Sequence, residues 1–252
     1  MLRIIMRGCN GRMGQVISDI VKGDAEAEIV AGIDLTGEQK NDYPVFTHLQ
    51  DCKIEADVVI DFTSTKGLTE LLTVGKERKL PIVLCTTGFD EAQLAEIEEA
   101  SKEVAILRSA NMSLGINTLS KLAAAAAKIL AEAGFDMEIV ERHHNKKVDA
   151  PSGTALILAD SINDAMDKKY HYTYDRSTRR EARDPNEIGI SAVRGGTIVG
   201  EHEIIFAGLD EVIELKHTAY SRSVFATGAV QAAKYLAGKP AGMYNMNAVV
   251  GK

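Results

Sequence analysis

Seven residues near the start, Gly8-Cys9-Asn10-Gly11-Arg12-Met13-Gly14, constrain this chain more than any other stretch. Leu2 to Met6, an apolar run broken only by Arg3, leads into them and reads as a buried strand. Val16, Ile17, Ile20 and Val21 follow at helical spacing. Strand, glycine turn and helix open a dinucleotide-binding unit. The spacing is G-x-x-G-x-x-G rather than the commoner G-x-G-x-x-G. Gly8 is expected to make the sharp turn, Gly11 to let backbone approach a diphosphate, and Gly14 to let the helix lie against the strand. The N–H groups at the helix start would then face the diphosphate. A second strand, Glu28 to Ile33, ends at Asp34, about 20 residues past Gly14, where an acidic side chain would hydrogen-bond the adenosine ribose hydroxyls.

The alternation continues. Ala56 to Ile60, Pro81 to Leu84 and Val104 to Leu107 read as strands, separated by helical runs over 68–74 and 91–101, with a polar, turn-rich loop over 36–53. The expected class is α/β, with a Rossmann-like doubly wound parallel sheet. Ligands of such sheets sit beyond the C-terminal ends of the strands. Polar turns follow the strands at 8–14, 61–65, 85–88 and 109–113. Each alone is ordinary turn chemistry. Their shared position points to one cofactor crevice, formed by the first turn with Phe62, Thr63, Cys85, Thr86, Thr87, Ser109, Ala110, Asn111 and Met112.

A long Ala-rich helix is expected from Gly115 to Ala133, and a strand from Phe135 to Val140. That strand delivers Glu141 to Ala155, E-R-H-H-N-K-K-V-D-A-P-S-G-T-A. Ser152 or Thr154 could cap the helix that follows to Met166. The N–H groups of its first turn would form a site for an anion such as a carboxylate. Proton donors beside an anion cradle suit a small acidic substrate that must receive a proton. The same density of charge also fits a solvated loop. Zinc is disfavoured, because neighbouring strand residues point to opposite faces and no H-x-x-x-H or C-x-x-C partner is near. Residues 168–187 read as a long polar loop. Strand-like runs over 188–194, 197–207 and 211–217 suggest an antiparallel or mixed sheet. A final amphipathic helix, Val224 to Leu236, could return the chain to the first domain.

Charge narrows the partners. A net charge of −7 argues against nucleic acid, whose phosphates are bound by Lys and Arg. The basic clusters 142–147 and 176–183 then fit a small anionic ligand or subunit contacts. The three cysteines match no metal spacing and read as reduced thiols of a cytoplasmic protein, with no metal expected. No signal peptide is read at the N-terminus. No stretch approaches the roughly 20 apolar residues of a membrane span.

Six motifs occur in a fixed order: G-C-N-G-R-M-G, D-F-T-S, C-T-T-G-F, S-A-N-M-S-L-G, the 141–155 segment and R-G-G-T-I-V-G-E-H. Together, over essentially the whole chain, they resemble the dihydrodipicolinate (4-hydroxy-tetrahydrodipicolinate) reductase family of lysine and diaminopimelate biosynthesis. The resemblance implies a dinucleotide domain of residues 1–114 and 219–252. It implies a substrate-binding and oligomerisation domain of residues 115–218, built on a mixed sheet in a homotetramer. It also implies reduction of a cyclic imine dicarboxylate by NADH or NADPH. By matching position, His143 is the expected acid/base, Lys147 the proton donor, and His144, Ser152, Gly153 and Thr154 the holders of the substrate carboxylates. One departure stands out. Some members follow the ribose-binding acid with an arginine suited to a 2′-phosphate, whereas here Leu35 follows Asp34. That favours NADH, although Lys40 in the following loop leaves NADPH open. The alternatives are a reductase of another small carboxylated imine or aldehyde, and a non-enzymatic dinucleotide sensor. A sensor has no need of proton donors beside an anion site.

Overall fold

The computed structural model describes residues 1–251, which divide into two compact units, Met1–Leu114 with the segment from Ser223 onward, and Gly115–Arg222. The first unit is built on a seven-stranded parallel sheet. Its strands are β1 (Leu2–Arg7), β2 (Ala27–Ile33), β3 (Val45–Phe46), β4 (Val58–Asp61), β5 (Ile82–Leu84), β6 (Ala105–Arg108) and β12 (Gly242–Tyr244), ordered β12-β6-β5-β4-β1-β2-β3. Strand residues alternate between the two faces. Ile4, Met6, Val58, Ile60 and Val83 join one apolar cluster with α1 (Arg12–Lys22) and α6 (Ser223–Leu236). Ile5, Val59, Ile82, Leu84 and Ile106 join another with α2 (Leu68–Arg78) and α3 (Glu91–Ser101). Both faces are therefore covered, which is why these strands are apolar throughout.

The second unit carries a mixed five-stranded sheet of β7 (Asp136–His143), β8 (His171–Thr173), β9 (Glu187–Arg194), β10 (Gly200–Ala207) and β11 (Val212–Ala219), ordered β11-β10-β7-β9-β8. β9 runs parallel to β7 and β8, and β10 antiparallel to β7 and β11. One face buries Met137, Ile139, Ile190, Ile204 and Phe206 against α4 (Leu114–Leu130) and α5 (Gly153–Ala165). The other carries ion pairs, Arg142 to Glu203 at 2.8 Å and Lys216 to Glu201 at 2.9 Å.

Three elements depart from expectation. β8 lies inside the stretch read as loop, and β12 and α7 (Met246–Val249) follow the last expected helix. All are three or four residues long, too short for a hydrophobic period to show. The basic cluster at 176–183 is taken up by the protein's own carboxylates. Arg176 and Arg179 each reach Glu187 at 2.6 Å, and Arg176 and Arg183 reach Glu138. No described helix is long and apolar enough to cross a membrane.

Candidate active site

In the first unit the strand register aligns the polar turns. Arg7 lies beside Ile33 and Asp61, Asp61 beside Leu84, and Leu84 beside Arg108. The turns at 8–14, 61–65, 85–88 and 109–113 therefore leave the same edge of the sheet. The strand order reverses between β1 and β4, so the glycine turn sits at the topological switch point. Gly8 has φ +83°, and a Cβ there would meet the Phe62 carbonyl oxygen at 2.6 Å. A Cβ on Gly14 would lie 2.2 Å from the Gly8 carbonyl oxygen, so α1 packs directly on the turn. Gly11 caps α1 without a side-chain hydrogen bond, whereas α3 has a capping box and α5 a serine cap. The first-turn N–H groups of α1 thus have no side-chain acceptor at the cap, which fits a diphosphate.

The expected cofactor residues differ in exposure. Gly11, Arg12, Thr63, Thr87 and Ala110 are exposed. Asn10, Met13, Asp34, Phe62, Cys85, Ser109 and Asn111 are half-buried, and Gly8, Cys9, Gly14, Thr86 and Met112 are buried. Cys9 therefore offers the crevice its backbone. Burial, with Asp34 adding to it, pushes its thiol up to about 11. Asp34 accepts from the Asn10 N–H at 3.0 Å, and the Asn10 amide donates to Thr36 and the Glu38 carbonyl, so turn and acidic residue form one piece.

A buried network beneath the crevice was not expected. Arg7 and Asp61 form an ion pair at 2.7 Å, and Asp61 accepts from the hydroxyls of Thr63 (2.7 Å) and Thr86 (2.6 Å). Its only sequence signal is opposite charge at the last residues of two apolar strands.

In the second unit β7 brings His143 to the end of its buried face. The register sets it beside Arg194 of β9, and Gly200 at the start of β10 lies against its ring. One step back along the same face stand Glu141, His202 and, across from His202, His217 of β11. His143 is 8% exposed, and its Nδ1 lies 2.7 Å from Glu141. The Glu141 carboxylate is fully buried and also takes two bonds from Arg194 and one from the Ser152 N–H. Burial would raise its pKa, but the bonds from Arg194, His143 and Ser152 hold it below the usual carboxylate value. Burial lowers the proton affinity of His143, and Lys147 and Arg194 lower it further, against the opposing pull of Glu141. Burial, with His143 nearby, drives His202 down to about 3, so it is neutral in the folded protein.

Ser152 caps α5, its Oγ accepting from the Ala155 N–H at 3.1 Å. That Oγ also lies 3.0 Å from His202 Nε2, and Ser152 is 1% exposed. Gly153 is exposed, and His144 and Thr154 are half-buried. Lys147 pairs with Asp149 at 2.8 Å. The bond from Lys147 lowers the Asp149 carboxyl below the usual value. Among the described residues, the buried side-chain polar atoms without a partner are His144 Nδ1, Arg194 Nε, His202 Nδ1 and His217 Nδ1. All four belong to this corner or the row behind it. Such clustering suits a place where a polar ligand completes the hydrogen bonding.

The family models and the named relatives point to one family. The family models "Dihydrodipicolinate reductase, N-terminus" and "Dihydrodipicolinate reductase, C-terminus" match residues 2–112 and 115–250. The chain is 54% identical over 256 residues to the 4-hydroxy-tetrahydrodipicolinate reductase of Caldanaerobacter subterraneus subsp. tengcongensis, covering 100% of this chain and 99% of the relative. It is 50% identical over 250 residues to that of Clostridium tetani, covering 99% and 97%. Among solved structures, the dipicolinate-bound dihydrodipicolinate reductase from Paenisporosarcina sp. TG-14 superposes with a TM-score of 0.80 at 26% identity over 97% of each chain. Matched in both halves by the family models and by named relatives along its length, the chain belongs to the dihydrodipicolinate reductase family.

Proposed function

We propose that this chain reduces 4-hydroxy-tetrahydrodipicolinate, by way of dihydrodipicolinate, to tetrahydrodipicolinate with NADH or NADPH, in lysine and diaminopimelate biosynthesis. The observation that carries the site assignment is the corner of the second unit. It ties His143 to the start of α5 through Glu141, and Lys147, paired with Asp149, comes from the loop between them. The first unit takes the dinucleotide, with its diphosphate at the uncapped start of α1 and its ribose at Asp34. Phe62, Thr63, Cys85, Thr86, Thr87 and Ser109 to Met112 line the crevice. The bound nicotinamide supplies the hydride.

Hydride arriving at one end of a conjugated C=C–C=N system leaves electron density at the other end, which must be met by a proton. His143 donates it from Nε2, since Nδ1 is engaged by Glu141. Lys147, beside the substrate carboxylates, stabilises the developing density. His144, Gly153 and Thr154 hold those carboxylates, one of which replaces Asp149 at Lys147. Ser152 serves this cradle by fixing the start of α5, because its N–H is held by Glu141 and its hydroxyl is buried against His202. Asp34 favours NADH, since Leu35 brings no cation and Lys40 lies 3.5 Å from Glu38. The working form is a cytoplasmic homotetramer, which light scattering after gel filtration would test.

The deciding assay follows loss of reduced-nicotinamide absorbance with NADH and NADPH separately. Substrate is generated in the cuvette from pyruvate and aspartate semialdehyde by the preceding condensing enzyme. Wild type oxidises cofactor, and a His143→Gln, Lys147→Ala variant loses at least about 10²-fold in kcat. No oxidation by wild type would sink the substrate, and full turnover in the variant would sink the donors. Asp34→Ala shifts the cofactor ratio towards NADPH, and an unchanged ratio would count against the role of Asp34.

A further inference from the structure

Glu141 is a fully buried titratable group in contact with His143 that the reaction above leaves without a task. A carboxylate wholly removed from water persists only when it is fully paired. Here each oxygen takes one bond from Arg194, at 2.7 Å, in a two-pronged contact. Oε2 has one further partner, His143 Nδ1 at 2.7 Å, and Oε1 one further partner, the Ser152 N–H at 2.9 Å. The four bonds thus join an arginine, an imidazole and the start of a helix. Arg194 extends the frame by donating to the Asp149 carbonyl at 2.6 Å, which anchors the loop carrying Lys147. His202 completes it by holding the Ser152 hydroxyl.

We propose that Glu141, acting as one ion pair with Arg194, is a positioning residue that fixes the tautomer of His143 and ties its ring to the anion-binding start of α5. The proposal rests on the reading that His143 gives the proton. An ionised carboxylate only accepts, so the neutral imidazole must carry its hydrogen on Nδ1. Nε2 is then the nitrogen that exchanges a proton, and it faces the space above Gly200, 3.1 Å from where a Cβ would stand. The same carboxylate holds the Ser152 N–H, so imidazole and cradle keep one geometry. A lone histidine on a strand end would hold neither tautomer nor distance.

The pair also predicts a pair of opposite effects. The charged and titratable groups facing His143 are Glu141 on its own strand, Arg194 on β9, Lys147 with Asp149 from the following loop, and His202 on β10 with His217 behind it on β11. The positive end of α5 adds to them through Ser152. Glu141 raises the proton affinity of His143, and Arg194 lowers it. Each hides the other, and removal of either partner exposes the one that remains.

The test is the pH profile of kcat/KM for the full-length protein, which reports groups of the free enzyme. The limb of interest is the one on which activity falls as pH rises and the acid is lost. In Glu141→Gln that limb moves to lower pH and kcat drops by about 10²-fold. In Arg194→Gln it moves to higher pH. General loss of packing would move both variants alike. Nitrogen-15 spectra of histidine-labelled wild type read the tautomer without any substitution, so the proposal stands open to test even if both variants fold poorly. Opposite shifts and an Nδ1-protonated His143 support it. Shifts of one sign, no shift, or an Nε2-protonated ring overturn it. Failure of wild type to turn over, or a fully active His143→Gln, would instead overturn the underlying assignment and the proposal with it.

Discussion

Gly200 shows how one missing atom can shape a site. It lies one residue beyond the paired Glu201 and Arg142, and a Cβ there would stand 3.1 Å from His143 Nε2, inside normal contact. Gly200→Ala is expected to push the ring aside. A displacement of a few tenths of an ångström at the reacting nitrogen should cost about tenfold in kcat, since about 1 Å can cost 10²-fold. Thermal stability should change little, and paired rate and melting measurements would check both. A fall in stability with unchanged kcat would mean that the backbone had moved rather than the ring. The nearness of His143 to the start of α5 was legible in the sequence, because one short segment, 141–155, carries both. Gly200, Arg194 and His202 were not legible as neighbours of His143. Their placement depends on register between strands far apart in the chain, which no local pattern encodes.

At the scale of elements, the segment between β8 and β9 is held down by charge. Glu187, fully buried at the start of β9, takes Arg176, Arg179 and the Thr173 hydroxyl. Burial would raise its pKa, yet these partners lower it from 4.5 to about 2. A depressed folded-state pKa adds stability above the unfolded value, and that stability is lost as pH falls from about 4.5 towards about 2. Glu187→Gln should therefore be less stable at neutral pH and lose less on acidification through this window. Denaturant titrations at several pH values would check this, and parallel curves for variant and wild type would refute it. The longer elements were legible because apolar periodicity persists over whole strands and helices. Glu91 to Ser101 begins and ends where expected, as its charged run and its Asp90–Gln93 capping box suggest. β8 and β12 were not legible, because three residues are too few for a hydrophobic period to show.

Considered as a whole, the chain builds its first unit from two separated segments. α6 fills one face of the seven-stranded sheet with Ala226, Ala229, Val230, Ala232, Ala233 and Leu236, all 1% exposed or less, and Met246 joins the same cluster. Burying Val, Leu and Met side chains is worth about 1.5–3 kcal/mol each. Their sum approaches the whole stability of a domain, about 5–15 kcal/mol. A chain stopped after Arg222 should then lose cooperative unfolding of the first unit and binding of reduced dinucleotide, as calorimetry and nicotinamide fluorescence would show. Retained binding would mean that α6 is dispensable. The same arrangement bears on synthesis. β1 carries Ile4 and Met6 on a face that α1 covers in part and that α6, far along the chain, completes. The part left to α6 therefore stays bare on the ribosome until that helix has been made, and chaperone dependence should rise as elongation slows.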